Sequence, residues 1–224
     1  MVIKEVEKKL MLSGIEEKKN VPKGDWGYGG ENGNKMMIGI VGTLLDITEG
    51  QIIRGNGKTA TMTYILKNLY ADEGYKVYTN YQTTFSTVYQ TEDIESVLNQ
   101  ISKGEKKGYV IGIDEIQIFT NSYDRISKKD ISFIILKLIQ QSRHKNLDVF
   151  YTSQRFKDVH RRIRVQTDNY IIPKKYHLDG ERCLLDRCYK DHIIVVKDFY
   201  ERYNPFYFNI KEVANLYDTG EIVE

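Results

Sequence analysis

Cysteine, net charge and long apolar runs are all scarce in this chain of 224 residues. Its two cysteines, Cys183 and Cys188, form no disulfide framework and fit a reducing compartment, so a cytosolic location is expected. Lys and Arg number 33 against 31 Asp and Glu, a formal charge of +2, which excludes a polycation that coats nucleic acid or acidic lipid by bulk attraction. Any nucleic-acid contact must therefore be local. The longest apolar stretches, Met36 to Leu45 and Ile131 to Ile139, are too short to span a bilayer. Met1 leads into Lys and Glu in place of an apolar signal core. Membrane-spanning and secreted readings are thereby set aside. What is abundant is core-forming material: 41% hydrophobic and 12% aromatic residues suffice for one large domain.

The first 34 residues read either as an arm that docks on a neighbouring subunit or as a disordered tail. Ile3, Val6 and Leu10 lie three and four apart among Lys and Glu, as in a short amphipathic helix, and Gly24, Gly27, Gly29, Gly30 and Gly33 then surround the only Trp in a linker. From 35 to 224 strand and helix patterns alternate. Met36 to Leu45 is a strand covered on both faces; Met62, Ile65, Leu66 and Leu69 mark a helix ending at Gly74, and Lys76 to Thr79 resumes as strand. Ile94, Val97, Leu98 and Ile101 predict a second helix, Tyr109 to Ile113 a strand, Ile131, Ile134, Ile135 and Leu138 a further helix, and Leu147 to Thr152 another buried strand. This order predicts an α/β fold, a mostly parallel central sheet with flanking helices whose ligands bind beyond the carboxyl ends of the strands. From about 170 to 224, alternating Ile, Val, Tyr and Phe predict a β-rich extension of edge strands or hairpins.

Between a strand and a helix stands Arg54-Gly55-Asn56-Gly57-Lys58-Thr59-Ala60. Glycines there let backbone N–H groups turn inward, and the helix N-terminus offers its positive dipole to an anion. Gly55, Asn56, Gly57, Lys58, Thr59 and Ala60 are thus the expected phosphate cradle, with Lys58 reaching the β and γ phosphates and the Thr59 hydroxyl on a magnesium ion. Ile52 stands where the usual spacing has a first glycine, so the loop departs from the full pattern at its entry. The strand Tyr109 to Ile113 ends in Asp114 and Glu115. Asp114 is suited to hold magnesium through water, and Glu115 to deprotonate the water that attacks the γ phosphate. An acid pair of this order favours an ATP-hydrolysing enzyme over a kinase, and no Asn-Lys-x-Asp sequence marks guanine specificity.

Gln154, at the end of the strand Leu147 to Thr152, either senses the γ phosphate or bonds the next loop as a strand-terminating amide. Arg143, before that strand, is a candidate finger for a neighbouring subunit's site, with surface salt bridging as its alternative. Arg155, Lys157, His160, Arg161, Arg162 and Arg164 crowd the segment that follows. On a helix, Lys157, Arg161 and Arg164 share a face that would contact nucleic-acid backbone without reading bases; the arginines are equally candidates for the finger or for a solvated basic face. Lys103 to Lys107 is an ordinary turn. His177, Cys183, Cys188 and His192 are the residue types of a zinc site, but strand alternation is expected to scatter them, leaving the cysteines as small buried hydrophobes.

Taken in order, Gly55-Asn56-Gly57-Lys58-Thr59, Val77-Tyr78-Thr79-Asn80, Ile113-Asp114-Glu115-Ile116-Gln117, Arg143-His144 and Thr152-Ser153-Gln154 resemble the FtsK-HerA superfamily of ring ATPases. Within it they are similar to the viral genome-packaging ATPases and the zonular-occludens-toxin-like assembly ATPases of filamentous phages, over about 36 to 173. The resemblance implies a P-loop, RecA-like NTPase fold and a homohexameric ring that moves double-stranded DNA during ATP hydrolysis. ATP and Mg2+ are the implied cofactors. Lys58 and Thr59 would carry nucleotide, Asp114 magnesium, Glu115 catalysis and Gln154 sensing. Filamentous-phage relatives usually carry a membrane anchor; none is evident here, which points toward soluble packaging motors, a capsid or portal partner, and host cytoplasm or virion as location. A helicase or helicase loader, and an assembly or export ATPase without DNA-stimulated turnover, are the rival readings.

Overall fold

The computed structural model describes residues 36–43, 55–90, 93–101, 108–120, 146–178, 191–199 and 205–218, with isolated positions at 137, 140, 142, 180, 181 and 183. The 1–34 arm, Ile52 and Arg54 at the loop entry, Lys103 to Lys107, Ile131, Ile134, Ile135 and Leu138, Arg143, His144 and Cys188 lie outside the described residues.

The strands are β1 (Met37–Thr43), β2 (Lys76–Thr79), β3 (Gln82–Thr83), β4 (Thr87–Val88), β5 (Tyr109–Ile113), β6 (Leu147–Arg155), β7 (Asn169–His177), β8 (His192–Asp198), β9 (Phe206–Asn209) and β10 (Tyr217–Asp218). The helices are α1 (Lys58–Ile65), α2 (Ile94–Ile101), α3 (Arg161–Gln166) and α4 (Lys211–Ala214). Eight strands form one sheet in the order β4-β2-β5-β6-β1-β7-β8-β9, while β10 and β3 pair separately. Every pairing from β4 across to β7 is parallel, and β8 and β9 are added antiparallel. The expected mostly parallel α/β sheet is therefore present. One detail differs from the sequence reading: β7 is not an edge strand but pairs parallel with β1, and only β8 and β9 form the antiparallel margin.

Alternation along β1 explains why it occupies the centre. Ile38 and Ile40 enter the core on the α1 side, with Phe206 and Phe208, whereas Met37 and Val41 enter the opposite core with Ile94, Val97 and Ile163 from α2 and α3. The start of β1 is pinned by two carboxylates: Met36 N–H donates to Asp148 Oδ1 at 2.9 Å and Met37 N–H to Asp168 Oδ2 at 2.7 Å. Asp148 is 1% exposed and also accepts from the Tyr70 hydroxyl. α1 continues through one π-helical stretch, Leu66–Ala71, before the turn at Gly74. Its residues from Ala60 to Ile65 are all buried, so α1 is covered all round rather than being amphipathic.

Two expectations from spacing fail for physical reasons. The basic segment is not one helix: Phe156–Asp158 is a 3-10 turn, Val159 is extended, and α3 begins only at Arg161, so Lys157 shares no helical face with Arg161 and Arg164. His177, Cys183 and His192 are also not scattered; their ligand atoms lie within 4.8 Å of one another. Alternation governs one strand at a time, whereas register across strands brings distant residues to one face.

Candidate nucleotide site

β1, β6 and β5 lie side by side and parallel, so their carboxyl ends share one edge of the sheet. The first carries the chain toward the glycine loop and α1, the second ends in Thr152, Ser153 and Gln154, and the third in Asp114 and Glu115.

Gly55 and Gly57 both have positive φ, 64° and 90°. Gly57 precedes α1 in the left-handed region, which a side chain resists, and a Cβ there would come 2.6 Å from Ile194 Cδ1 of β8. No side chain caps this helix start, and its first turn carries no acid. The helix N-terminus, with its positive dipole, is thus presented to an external anion. Gly42 on β1 is a second close approach: a Cβ there would lie 2.6 Å from the backbone oxygen of Gln154.

Lys58 is 5% exposed, and its Nζ donates to Gln154 Oε1 at 2.9 Å and Asn56 Oδ1 at 3.4 Å. Gln154 in turn donates through Nε2 to Glu115 Oε1 at 2.6 Å. Lysine, glutamine and glutamate therefore form one polar chain across three elements. Beside it, the Thr59 hydroxyl donates to Asp114 Oδ1 at 3.0 Å. Burial pushes the Asp114 carboxyl above the usual carboxylate range and the neighbouring Glu115 charge adds to this, while hydrogen bonds from Thr152 and Thr59 and the Lys58 charge act in the opposite sense.

The acidic turn is held by residues to which sequence reasoning assigned no role. Asn80 donates through Nδ2 to the Asp114 carbonyl at 3.1 Å and accepts from the Asp114 N–H at 2.7 Å, gripping the backbone on both sides. The Thr152 hydroxyl accepts from the Glu115 N–H at 2.9 Å and donates to Asp114 Oδ1. Glu115 has φ 52°, a left-handed conformation that a non-glycine residue adopts at a cost of about 1–3 kcal/mol when its surroundings enforce it. Gln117 bonds Glu115 Oε2. Asn80 and Thr152 stand inside short motifs that were legible, but their roles follow from strand order.

The structure brings together Gly55, Asn56, Gly57, Lys58, Thr59, Ala60, Asp114, Glu115 and Gln154. Arg161, Arg162 and Lys157 are exposed in the segment after β6. Arg164 differs from them: its guanidinium lies 5.0 Å over the Phe156 ring, and its backbone carbonyl accepts from the Tyr170 hydroxyl. That places it in packing rather than on an open cationic face. Among the described residues no helix is long and apolar enough to cross a membrane.

No family model matches the chain, and no curated protein matches it. Among solved structures it is similar to the N-terminal domain of zonular occludens toxin from Neisseria meningitidis, at 18% identity and a TM-score of 0.50, covering 83% of this chain and all of the other. It is also similar to the genome packaging NTPase B204 from Sulfolobus turreted icosahedral virus 2 in complex with AMPPCP, at 13% identity and a TM-score of 0.46, over 80% of this chain and 97% of that one. The DNA-packaging ATPase B204 from Sulfolobus Turreted Icosahedral Virus matches at 15% identity and 0.45, over 62% and 76%. At these identities the likeness is one of fold, a mostly parallel α/β sheet with flanking helices.

Proposed function

We propose that this protein is an ATP-hydrolysing DNA translocase, the motor that packages a viral double-stranded DNA genome into a capsid. The observation that carries the hydrolytic half is the Lys58–Gln154–Glu115 chain beside the Thr59–Asp114 pair. Phosphates seat on the N–H groups of 55–60 and on Lys58, which exchanges its Gln154 contact for phosphate oxygens. Gln154 then changes partner when the γ phosphate is present and reports it to Glu115. Glu115 takes the proton of the attacking water, and its oriented carboxylate is what the Gln154 and Gln117 bonds supply in the resting site.

Thr59 and Asp114 would hold Mg2+. A buried carboxylate beside a second acid and a hydroxyl is a hard oxygen donor set that such a cation relieves electrostatically. When bound, it neutralises charge on the β and γ phosphates.

The DNA half rests on the sequence resemblance and on exposed Arg155, Lys157, Arg161 and Arg162, which follow the sensor strand directly. Movement of Gln154 would reach this segment within a few residues, linking phosphate state to grip on the DNA backbone. The motor acts as a homohexameric ring, with Arg143 as finger into the adjacent site. The test is steady-state ATP hydrolysis with and without duplex DNA across a salt series. Stimulation that fades as salt rises is the expected result, because phosphate contacts release counterions. Robust hydrolysis indifferent to DNA would overturn the translocase and favour an assembly or export ATPase with the same site.

A further inference from the structure

β7 and β8 pair antiparallel with His177 opposite His192, so both imidazoles stand on one face, ring centroids 4.9 Å apart. Beyond β7 the chain reverses at Gly180, whose φ is 88°; Gly180 N–H donates to the His177 carbonyl and His177 N–H to the Glu181 carbonyl. The returning segment then runs along the other side of β7, where Cys183 N–H donates to the Lys175 carbonyl at 2.9 Å. Lys175 is two residues before His177, and this register sets Cys183 on the same face as both histidines. Three successive elements thus deliver two imidazoles and a thiol to one place, with ligand atoms mutually within 4.8 Å.

We infer that His177, Cys183 and His192 form a binding site for a zinc-class transition-metal ion. Two imidazoles and a sulfur match zinc in type, and disfavour magnesium or calcium, which take oxygen. A tetrahedral shell with bonds of about 2.0–2.3 Å needs donors roughly 3.5 Å apart, a closure that side-chain rotation supplies. An independent observation points to a ligand: His192 is 4% exposed and its Nε2 is buried with no hydrogen-bond partner. A buried orphan nitrogen is costly, and metal ligation satisfies it.

None of the three residues belongs to the phosphate loop, and the site does not depend on the ATPase reading. Its place explains a structural use: β8 is the strand whose Ile194 stands against Gly57, so an ion bridging β7, β8 and the return segment would hold that strand in register. The experiment uses full-length protein, freed of any affinity tag and dialysed against metal-free buffer, then titrated with zinc chloride and analysed by inductively coupled plasma mass spectrometry. About one zinc per chain is expected in the wild type, and less than about a tenth in Cys183→Ser and His192→Ala. Cobalt in place of zinc is expected to give a thiolate-to-cobalt charge-transfer band that Cys183→Ser abolishes. Should buried His192→Ala fail to fold, the half-buried His177→Asn supplies the second imidazole test. A wild type that takes up no zinc and shows no charge-transfer band, or equal metal uptake in wild type and variants, overturns the site.

Discussion

In the proposed mechanism Lys58 binds phosphate and Glu115 activates water, so their variants should separate binding from turnover. Lys58→Ala is expected to weaken ATP binding roughly 10- to 100-fold, the worth of a charge-assisted contact to phosphate, read by equilibrium titration with a fluorescent ATP analogue. Asn80 and Thr152 bond the backbone and carboxyl of Asp114 and the N–H of Glu115, which assigns them positioning in the proposed mechanism. Asn80→Ala should therefore lower kcat while leaving ATP affinity near wild type; a KM rise with unchanged kcat would assign Asn80 to binding instead. Residues of this kind explain where sequence reading ran out. Lys58, Thr59, Asp114 and Glu115 were legible because phosphate and magnesium chemistry demands those types at those spacings. The grip of Asn80 on Asp114 spans 34 positions and exists only because β2 and β5 are neighbours in the sheet.

At the scale of elements, β1 and β6 approach closely at Gly42 and Gln154. Gly42→Ala would force a methyl group against the Gln154 carbonyl, a rigid part of a central strand. The expected cost is about 1–3 kcal/mol in denaturant unfolding, with a fall in kcat as Gln154 shifts; an unchanged variant would show that the two strands yield freely. Asp148 ties β6 to the start of β1 and to Tyr70. Asp148→Ala should lose about 1–3 kcal/mol of stability by leaving buried donors unpaired, with ATP affinity of the folded protein retained. Periodicity was a good guide to β1, β5 and β6, whose apolar runs are covered on both faces, and to the parallel alternation. It was a poor guide past Gln154. Spacing left open a shared helical face of Lys157, Arg161 and Arg164, whereas Val159 is buried and extended and divides the segment. It also misplaced β7, since Tyr170 and Ile171 alternate like an edge hairpin yet pair with β1 in the sheet interior. The approach of His177, Cys183 and His192 was hidden for the same reason as that of Asn80: pairing across strands is not written in spacing along one.

For the whole molecule, the proposal joins a phosphate-binding edge to a cationic segment and a ring. If the ring shares its sites, mixing Arg143→Ala subunits with Glu115→Gln subunits should recover part of the ATPase activity that each lacks alone, because some interfaces regain both groups. No recovery at any mixing ratio would contradict a finger supplied by Arg143 between subunits. Nearly balanced net charge makes DNA engagement a local affair, so salt sensitivity of stimulation should follow the exposed arginines after β6 and not the chain as a whole. Proposed hydrolysis at the glutamate-bearing strand end is read by steady-state phosphate release from Glu115→Gln with saturating ATP and magnesium. Turnover about 10²- to 10⁴-fold below wild type with ATP affinity retained is the predicted result. Turnover equal to that of the wild type would contradict it.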